Sequence, residues 1–213
     1  MINNKHILSI FIALGVLIII FFGYDVLKNR EASKPEFDFS GIDRPIKYSQ
    51  SPTRGNNRAQ IVMYEYGDYN CPGCKSMQTV VNDIFTKYQS TITHVWKDFP
   101  FLSDSSTEFA IAARCAGEQD KFWEYHDWLF QNQSNIDSIG LVEGAAQLGL
   151  NKDRFTSCLL DDTIANLVEQ DFAEARALGV NETPTIIVGG TALVGVQEFG
   201  DLENIIINAI AQP

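Results

Sequence analysis

The sequence is poor in positive charge. Its 16 lysines and arginines stand against 27 aspartates and glutamates, which gives a net charge of −11 at pH 7. Proteins that bind nucleic acid present a basic surface, so this deficit argues against a nucleic-acid partner. Cysteine is scarce too, with four residues, of which only Cys71 and Cys74 are close together. A zinc ribbon needs a second closely spaced pair, and Cys115 and Cys158 do not provide one, so we predict no metal ligands.

An uncharged apolar stretch occupies residues 7–24, between Lys5 on one side and Asp25, Lys28 and Arg30 on the other. Roughly 20 such residues cross a bilayer. A cleavable signal peptide would have a shorter apolar region and a small-x-small cleavage site, which the sequence does not show here. We therefore predict an uncleaved, single-pass transmembrane signal anchor.

The regions beside the anchor have distinct predicted roles. Residues 1–6 would be a short cytoplasmic tail, and residues 25–58, which are polar and contain several prolines and glycines, would be a flexible linker with one strand near residues 46–49. The flanking positive charges lean slightly toward an internal C-terminal domain. The cysteine chemistry favours an extracytoplasmic one, and we give that chemistry more weight.

The tetrapeptide Cys71-Pro72-Gly73-Cys74 lies between a strand-like run, 59–66, and a helix-like run, 75–88. Two cysteines at such a turn can close and reopen a disulfide, and the helix N-terminus stabilises a thiolate. We expect Cys71 to be the exposed thiol with a low pKa and Cys74 to be the buried resolving thiol. Pro72 suits a first helical turn, where no hydrogen-bond donor is lost.

Apolar periodicity predicts strand, helix and strand over residues 59–99. A helical block follows over residues 106–178, and two strands and a last helix complete residues 183–211. Without the helical block, the order is βαβ–ββα. The predicted class is therefore α/β.

Four motifs, in this order, resemble the DsbA family of thiol:disulfide oxidoreductases over about residues 59–211. They are Glu65 to Cys74, Lys97 to Pro100, Arg114 to Ala116 together with Lys121 to His126, and Val180 to Thr185. The resemblance implies a thioredoxin-like fold over residues 59–213 with an all-helical subdomain inserted at about residues 101–179.

The resemblance also implies roles for residues near the cysteines. Thr183 and Pro184 would form a cis peptide bond beside the disulfide and bind an extended substrate by strand addition. A buried acid, Glu65, would lie beneath the resolving cysteine as a candidate acid/base group for Cys74. From strand adjacency alone, we expect Lys97 to be the partner of Glu65.

The family resemblance also bears on the dipeptide between the two cysteines and on the other two cysteines of the chain. Pro72 and Gly73 would tune the redox potential, because proline in first place resembles the oxidising members of the family. Several DsbA-like proteins also carry a second disulfide in the helical subdomain, so we expect a structural bridge between Cys115 and Cys158. Two unpaired buried cysteines are the alternative.

These features predict an enzyme that introduces disulfide bonds into exported proteins by exchange at Cys71 and Cys74, with no dissociable cofactor. The family implies a membrane quinone-linked partner that reoxidises it. The predicted location is the bacterial cytoplasmic membrane, with the catalytic domain on the periplasmic side. A disulfide isomerase or reductase of the same fold remains an alternative, as does a membrane-tethered metal-binding protein.

Overall fold

The computed structural model describes Phe21 and residues 41–211. The predicted cytoplasmic tail, the predicted anchor apart from Phe21, and the predicted linker up to residue 40 lie outside the described residues. Within the part of the chain that is described, no helix is both long and apolar enough to cross a membrane.

Five strands form one mixed sheet in the order β1-β3-β2-β4-β5. The neighbours β2 and β3 run parallel, and the other adjacent pairs are antiparallel. The strands are β1 (Thr53–Gly55), β2 (Ile61–Gly67), β3 (Ile92–Asp98), β4 (Thr185–Val188) and β5 (Thr191–Val194). The parallel pair needs a crossover connection, and a helix supplies it as predicted.

Eight helices of four residues or more lie within residues 41–211. They are α1 (Pro72–Tyr88), α2 (Asp104–Gly117), α3 (Phe122–Gln131), α4 (Ile136–Ile139), α5 (Leu141–Gln147), α6 (Lys152–Cys158), α7 (Asp162–Ala177) and α8 (Phe199–Ala211). Helix α1 connects β2 to β3, and α2 to α7 form an insertion between β3 and β4. The predicted order, βαβ, helical block and ββα, is confirmed.

The first strand differs from the sequence expectation. Residues 46–49 form no strand, whereas Thr53–Gly55 pairs antiparallel with β3. The backbone N–H of Trp96 also donates to the carbonyl oxygen of Pro52 at 3.0 Å. The last part of the predicted linker, 25–58, therefore belongs to the sheet. Three residues are too short to give a strand periodicity, which explains why the pattern missed β1.

Two apolar clusters place the cysteine turn between the sheet and the insertion. One cluster joins the sheet to α1 and α8 through residues such as Met63, Val81 and Ile206. The other fills the helical insertion and continues to Cys71 and Cys74. The cysteines are therefore part of the interface between the two halves of the domain.

Candidate active site

Helix α1 begins directly after Cys71, which is its N-cap residue. The backbone N–H of Cys74 donates to Cys71 Sγ at 3.3 Å, and Cys71 Sγ lies 3.4 Å from the carbonyl oxygen of Thr183. Both cysteines are free thiols. Cys71 is less accessible than expected, because it is 6% exposed, against 0% for Cys74. The prediction of an exposed Cys71 is therefore wrong, because the turn packs against the apolar cluster of the insertion.

The two thiols have opposite acidities. The hydrogen bond from the Cys74 thiol is the largest cause that lowers the pKa of Cys71 to about 5, and the N–H groups of Gly73 and Cys74 add to it against the effect of burial. Burial is the largest cause that raises the pKa of Cys74. At neutral pH, Cys71 is therefore a thiolate and Cys74 is protonated.

The Thr183–Pro184 peptide bond is cis and lies over the cysteine turn. A Cβ atom built on Gly73 would be 3.3 Å from Pro184 Cδ and 3.6 Å from Cys71 Sγ. Glycine at this position thus allows close approach of the proline loop to the reactive sulfur. Thr183, Pro184 and both cysteines are brought together as the sequence predicts.

Glu65 is buried, as predicted, but the prediction that Lys97 is its partner is wrong. Glu65 is paired across the parallel ladder with Trp96, so Lys97, one residue further, points to the opposite face of the sheet. Lys97 Nζ instead contacts Asp171 Oδ1 at 2.9 Å and Glu174 Oε2 at 3.1 Å. A one-residue difference in register decides which face a side chain occupies.

Glu65 belongs to a buried series of hydrogen bonds that the sequence analysis did not find. Its carboxylate accepts from Gln78 Nε2 at 2.8 Å and contacts His94 Nε2 at 2.9 Å. Gln78 Oε1 lies 3.1 Å from His126 Nε2, and His126 Nδ1 lies 3.0 Å from the hydroxyl of Tyr69. The one available signal was the spacing of Gln78, four residues after Cys74 on the same helix face.

Two further side chains hold the turn before the helix. Asp68 Oδ1 accepts from the backbone N–H of Asn70 at 2.8 Å, and its other oxygen accepts from Phe101 N and Leu102 N, both at 3.0 Å. Gln133, from the insertion, donates to the carbonyl oxygens of Tyr69 and Cys71 at 2.8 and 3.0 Å. The insertion therefore contacts the backbone of the reactive cysteine directly.

Cys115 and Cys158 form a disulfide that joins α2 to α6, the pairing that the family resemblance implies. Cys115 is fully buried in the cluster that fills the insertion. The bridge is separate from the Cys71–Cys74 turn in sequence and in the elements it connects. Among the described residues, no group of three or more histidine, cysteine, aspartate or glutamate side chains could hold a metal ion.

The arrangement is a Cys-x-x-Cys dithiol at a strand-to-helix turn, in the fold of thiol-disulfide oxidoreductases. The chain belongs to the thioredoxin family, because the family model described as Thioredoxin matches residues 47–208. Its fold contains a helical insertion and is shared with solved structures of DsbA proteins.

Solved structures support this assignment. A thioredoxin-like oxidoreductase from Silicibacter pomeroyi DSS-3 has a TM-score of 0.70 and 24% identity, covering 78% of this chain and 95% of its own. The thiol-disulfide exchange protein alpha-DsbA2 from Wolbachia pipientis has a TM-score of 0.66 and 20% identity, covering 75% of this chain and 87% of its own. These likenesses show a shared fold.

A curated relative extends the comparison. The protein named Na(+)/H(+) antiporter NhaA 3 from Salinispora tropica is 31% identical over 169 residues, which are 78% of this chain and 26% of the relative. The chain thus spans about a quarter of the length of the curated relatives that it matches.

Proposed function

We propose that the protein introduces disulfide bonds into exported proteins by exchange at Cys71 and Cys74. The observation that carries this proposal is the division between a stabilised Cys71 thiolate and a buried, protonated Cys74. A stable thiolate is a good leaving group and stabilises the reduced enzyme relative to the disulfide. The Cys71–Cys74 disulfide is therefore an oxidant.

The reaction has two exchange steps. A substrate thiolate attacks Cys71 Sγ, the Cys71–Cys74 bond breaks, and Cys74 leaves and takes up a proton. A second substrate thiolate then attacks the substrate sulfur of the mixed disulfide, and Cys71 leaves as a thiolate. Two electrons pass from the substrate thiols to the Cys71–Cys74 disulfide, and no further reactant is needed. Glu65 is the candidate acid/base group for Cys74.

Thr183 and Pro184 would orient the substrate chain. The Thr183 carbonyl oxygen lies 3.4 Å from Cys71 Sγ, and Thr183 is two residues before the start of β4. An extended peptide whose cysteine is bonded to Cys71 would therefore run along the Thr183 backbone, where strand addition reads no side-chain sequence. This suits an enzyme with many protein substrates.

The proposed location is the external face of the bacterial cytoplasmic membrane, with reoxidation by a membrane quinone-linked partner. The apolar residues 7–24 support attachment to the membrane, and the Cys115–Cys158 disulfide supports an oxidising compartment. The transporter name of the curated relatives agrees with action beside a membrane. In intact cells first treated with a membrane-impermeant reductant, a membrane-impermeant thiol reagent should label Cys71, and exclusive labelling after lysis would contradict this orientation.

The equilibrium redox potential of the Cys71/Cys74 pair against glutathione tests the oxidase role. We expect a value well above the roughly −270 mV of thioredoxin and closer to the roughly −120 mV of DsbA. The matched control is the double variant Pro72→Gly/Gly73→Pro, which reverses the dipeptide and should lower the potential.

A potential near that of thioredoxin would refute the oxidase role and favour the reductase alternative. Isomerase activity would show as recovery of a scrambled multi-disulfide protein without net oxidation. Stoichiometric metal in the purified protein, lost in Cys71→Ser, would favour the metal-binding alternative instead.

A further inference from the structure

Two side chains, one on each carboxylate oxygen, contact Glu65, which is fully buried on β2. Gln78 supplies the donor to one carboxylate oxygen, and His94 Nε2 faces the other. An ionised carboxylate only accepts hydrogen bonds, so both contacts are satisfied when Glu65 carries its charge. Among the described residues, neither lysine nor arginine forms a direct ion pair with this carboxylate.

Arg54 determines which nitrogen of His94 carries the proton. Arg54 Nε donates to His94 Nδ1 at 2.9 Å, and a guanidinium group can only donate. Nδ1 must therefore be unprotonated, and Nε2 carries the hydrogen that is donated to Glu65. A neutral ring also agrees with the burial of His94, which lowers its pKa.

Arg54 is itself held on several sides. Its guanidinium carbon lies 4.4 Å from the ring centroid of Phe85 and 4.3 Å from that of Trp123. Its Nη2 donates to Asn82 Oδ1 at 2.8 Å. Stacking between two rings fixes the guanidinium plane and compensates a desolvated cation. The carboxylates that act on this cation are those of Glu65 and Asp127.

We propose that Arg54 is a positioning residue that acts through His94 to orient the carboxylate of Glu65 as the acceptor for the proton of Cys74. The proposal rests on the proposed exchange at Cys71 and Cys74. Gln78, which donates to the other oxygen of Glu65 at 2.8 Å, lies one helical turn after Cys74 on the same face of α1, so the helix that carries the resolving thiol also binds this carboxylate.

The step concerned is closure of a mixed disulfide at Cys71. Cys74 Sγ attacks Cys71 Sγ, the Cys71–Cys74 bond forms, and the bond from Cys71 to the outer sulfur breaks. The outer sulfur leaves as a thiolate, and the Cys74 proton passes to Glu65. The outer disulfide is the oxidant, so electrons and atoms balance without another reactant.

Rapid mixing of the reduced full chain with excess oxidised glutathione, followed by acid quench and mass spectrometry, separates mixed-disulfide formation from closure. Arg54→Met should slow closure about tenfold at pH 7, within the range that a positioned base contributes. Formation of the mixed disulfide, set by Cys71, should stay within about twofold. The exposed Arg58→Met is the matched control and should behave as the wild type, while Arg54→Lys should recover part of the rate.

The double variant Arg54→Met/Glu65→Gln distinguishes action through Glu65 from a general packing effect. When Glu65 is already replaced by Gln, Arg54→Met should cause no further slowing of closure. Equal slowing in that background, or equal slowing of both steps, would overturn the assignment. If Arg54→Met does not fold, two variants of His94 replace it. His94→Gln keeps one donor and one acceptor, so its Cys71–Cys74 disulfide should close faster than that of His94→Leu. Equal closure rates in the two variants would refute the proposal. A wild-type protein that forms the mixed disulfide without closing it would instead refute the proposed function.

Discussion

At the scale of single residues, Cys71 and Cys74 differ in acidity because their sulfur atoms have different surroundings. Cys71 receives hydrogen bonds at the start of α1, whereas Cys74 is buried one turn later. Alkylation of the reduced protein by iodoacetamide should therefore occur at Cys71 with a pH midpoint near 5. Cys74→Ala removes the largest cause of this low pKa and should raise the midpoint by roughly one unit. Peptide mass spectrometry locates the modified sulfur.

The lowered pKa of Cys71 also makes the stability of the reduced protein depend on pH. The depressed folded pKa contributes stability that is complete above the ordinary pKa of 9.0 and is lost as the pH falls through about 5. The advantage of the reduced protein over Cys71→Ser, measured by urea unfolding, should therefore decline across this window. A midpoint near 9 in the alkylation experiment, or a constant stability difference, would contradict this account.

At the scale of elements, the sequence predicted most of the fold because its helices and longer strands have clear apolar periods. It missed β1, which is too short to show one, and it paired Lys97 with Glu65 because adjacency of strands does not reveal register. Arg54 and Gln133 could not be found from local patterns. Their contacts connect residues 28 or more positions apart, and only tertiary packing creates them.

The disulfide between α2 and α6 gives the prediction at this scale. It closes a loop over a sequence separation of 43, so the double variant Cys115→Ala/Cys158→Ala should lose about 4 kcal/mol of unfolding free energy by the chain-entropy relation. Urea unfolding measures this loss. Since the bridge connects α2 to α6 and neither of its cysteines belongs to the reactive turn, the Cys71/Cys74 potential should stay within about 30 mV, the equivalent of about 1.4 kcal/mol. A larger shift in potential would mean that the bridge also controls the active site.

At the scale of the whole molecule, a buried cluster of charges connects the sheet to the insertion. Lys97 contacts Asp171 and Glu174, and Arg114 contacts Asp98 at 2.6 Å and also Asp171. Residues 46–50 also contact this cluster. The backbone N–H of Ile46 donates to Glu174 Oε1, the ring of Tyr48 lies 4.2 Å from Lys97 Nζ, and the carbonyl oxygen of Gln50 accepts from Arg114. Three parts of the chain therefore depend on one set of ion pairs.

Removing one member of this cluster should destabilise the whole domain. Lys97→Met leaves Glu174 buried without its cation and leaves Asp171 with Arg114 alone, and breaking a buried pair in this way costs about 3–5 kcal/mol. The matched control is Lys152→Met, which breaks the half-exposed pair with Glu143 and should cost less than about 1 kcal/mol. Urea unfolding of the full chain compares them, and equal losses would refute a structural role for the cluster. Because Lys97 faces away from Glu65, folded Lys97→Met should close the Cys71–Cys74 disulfide at the wild-type rate, unlike Arg54→Met.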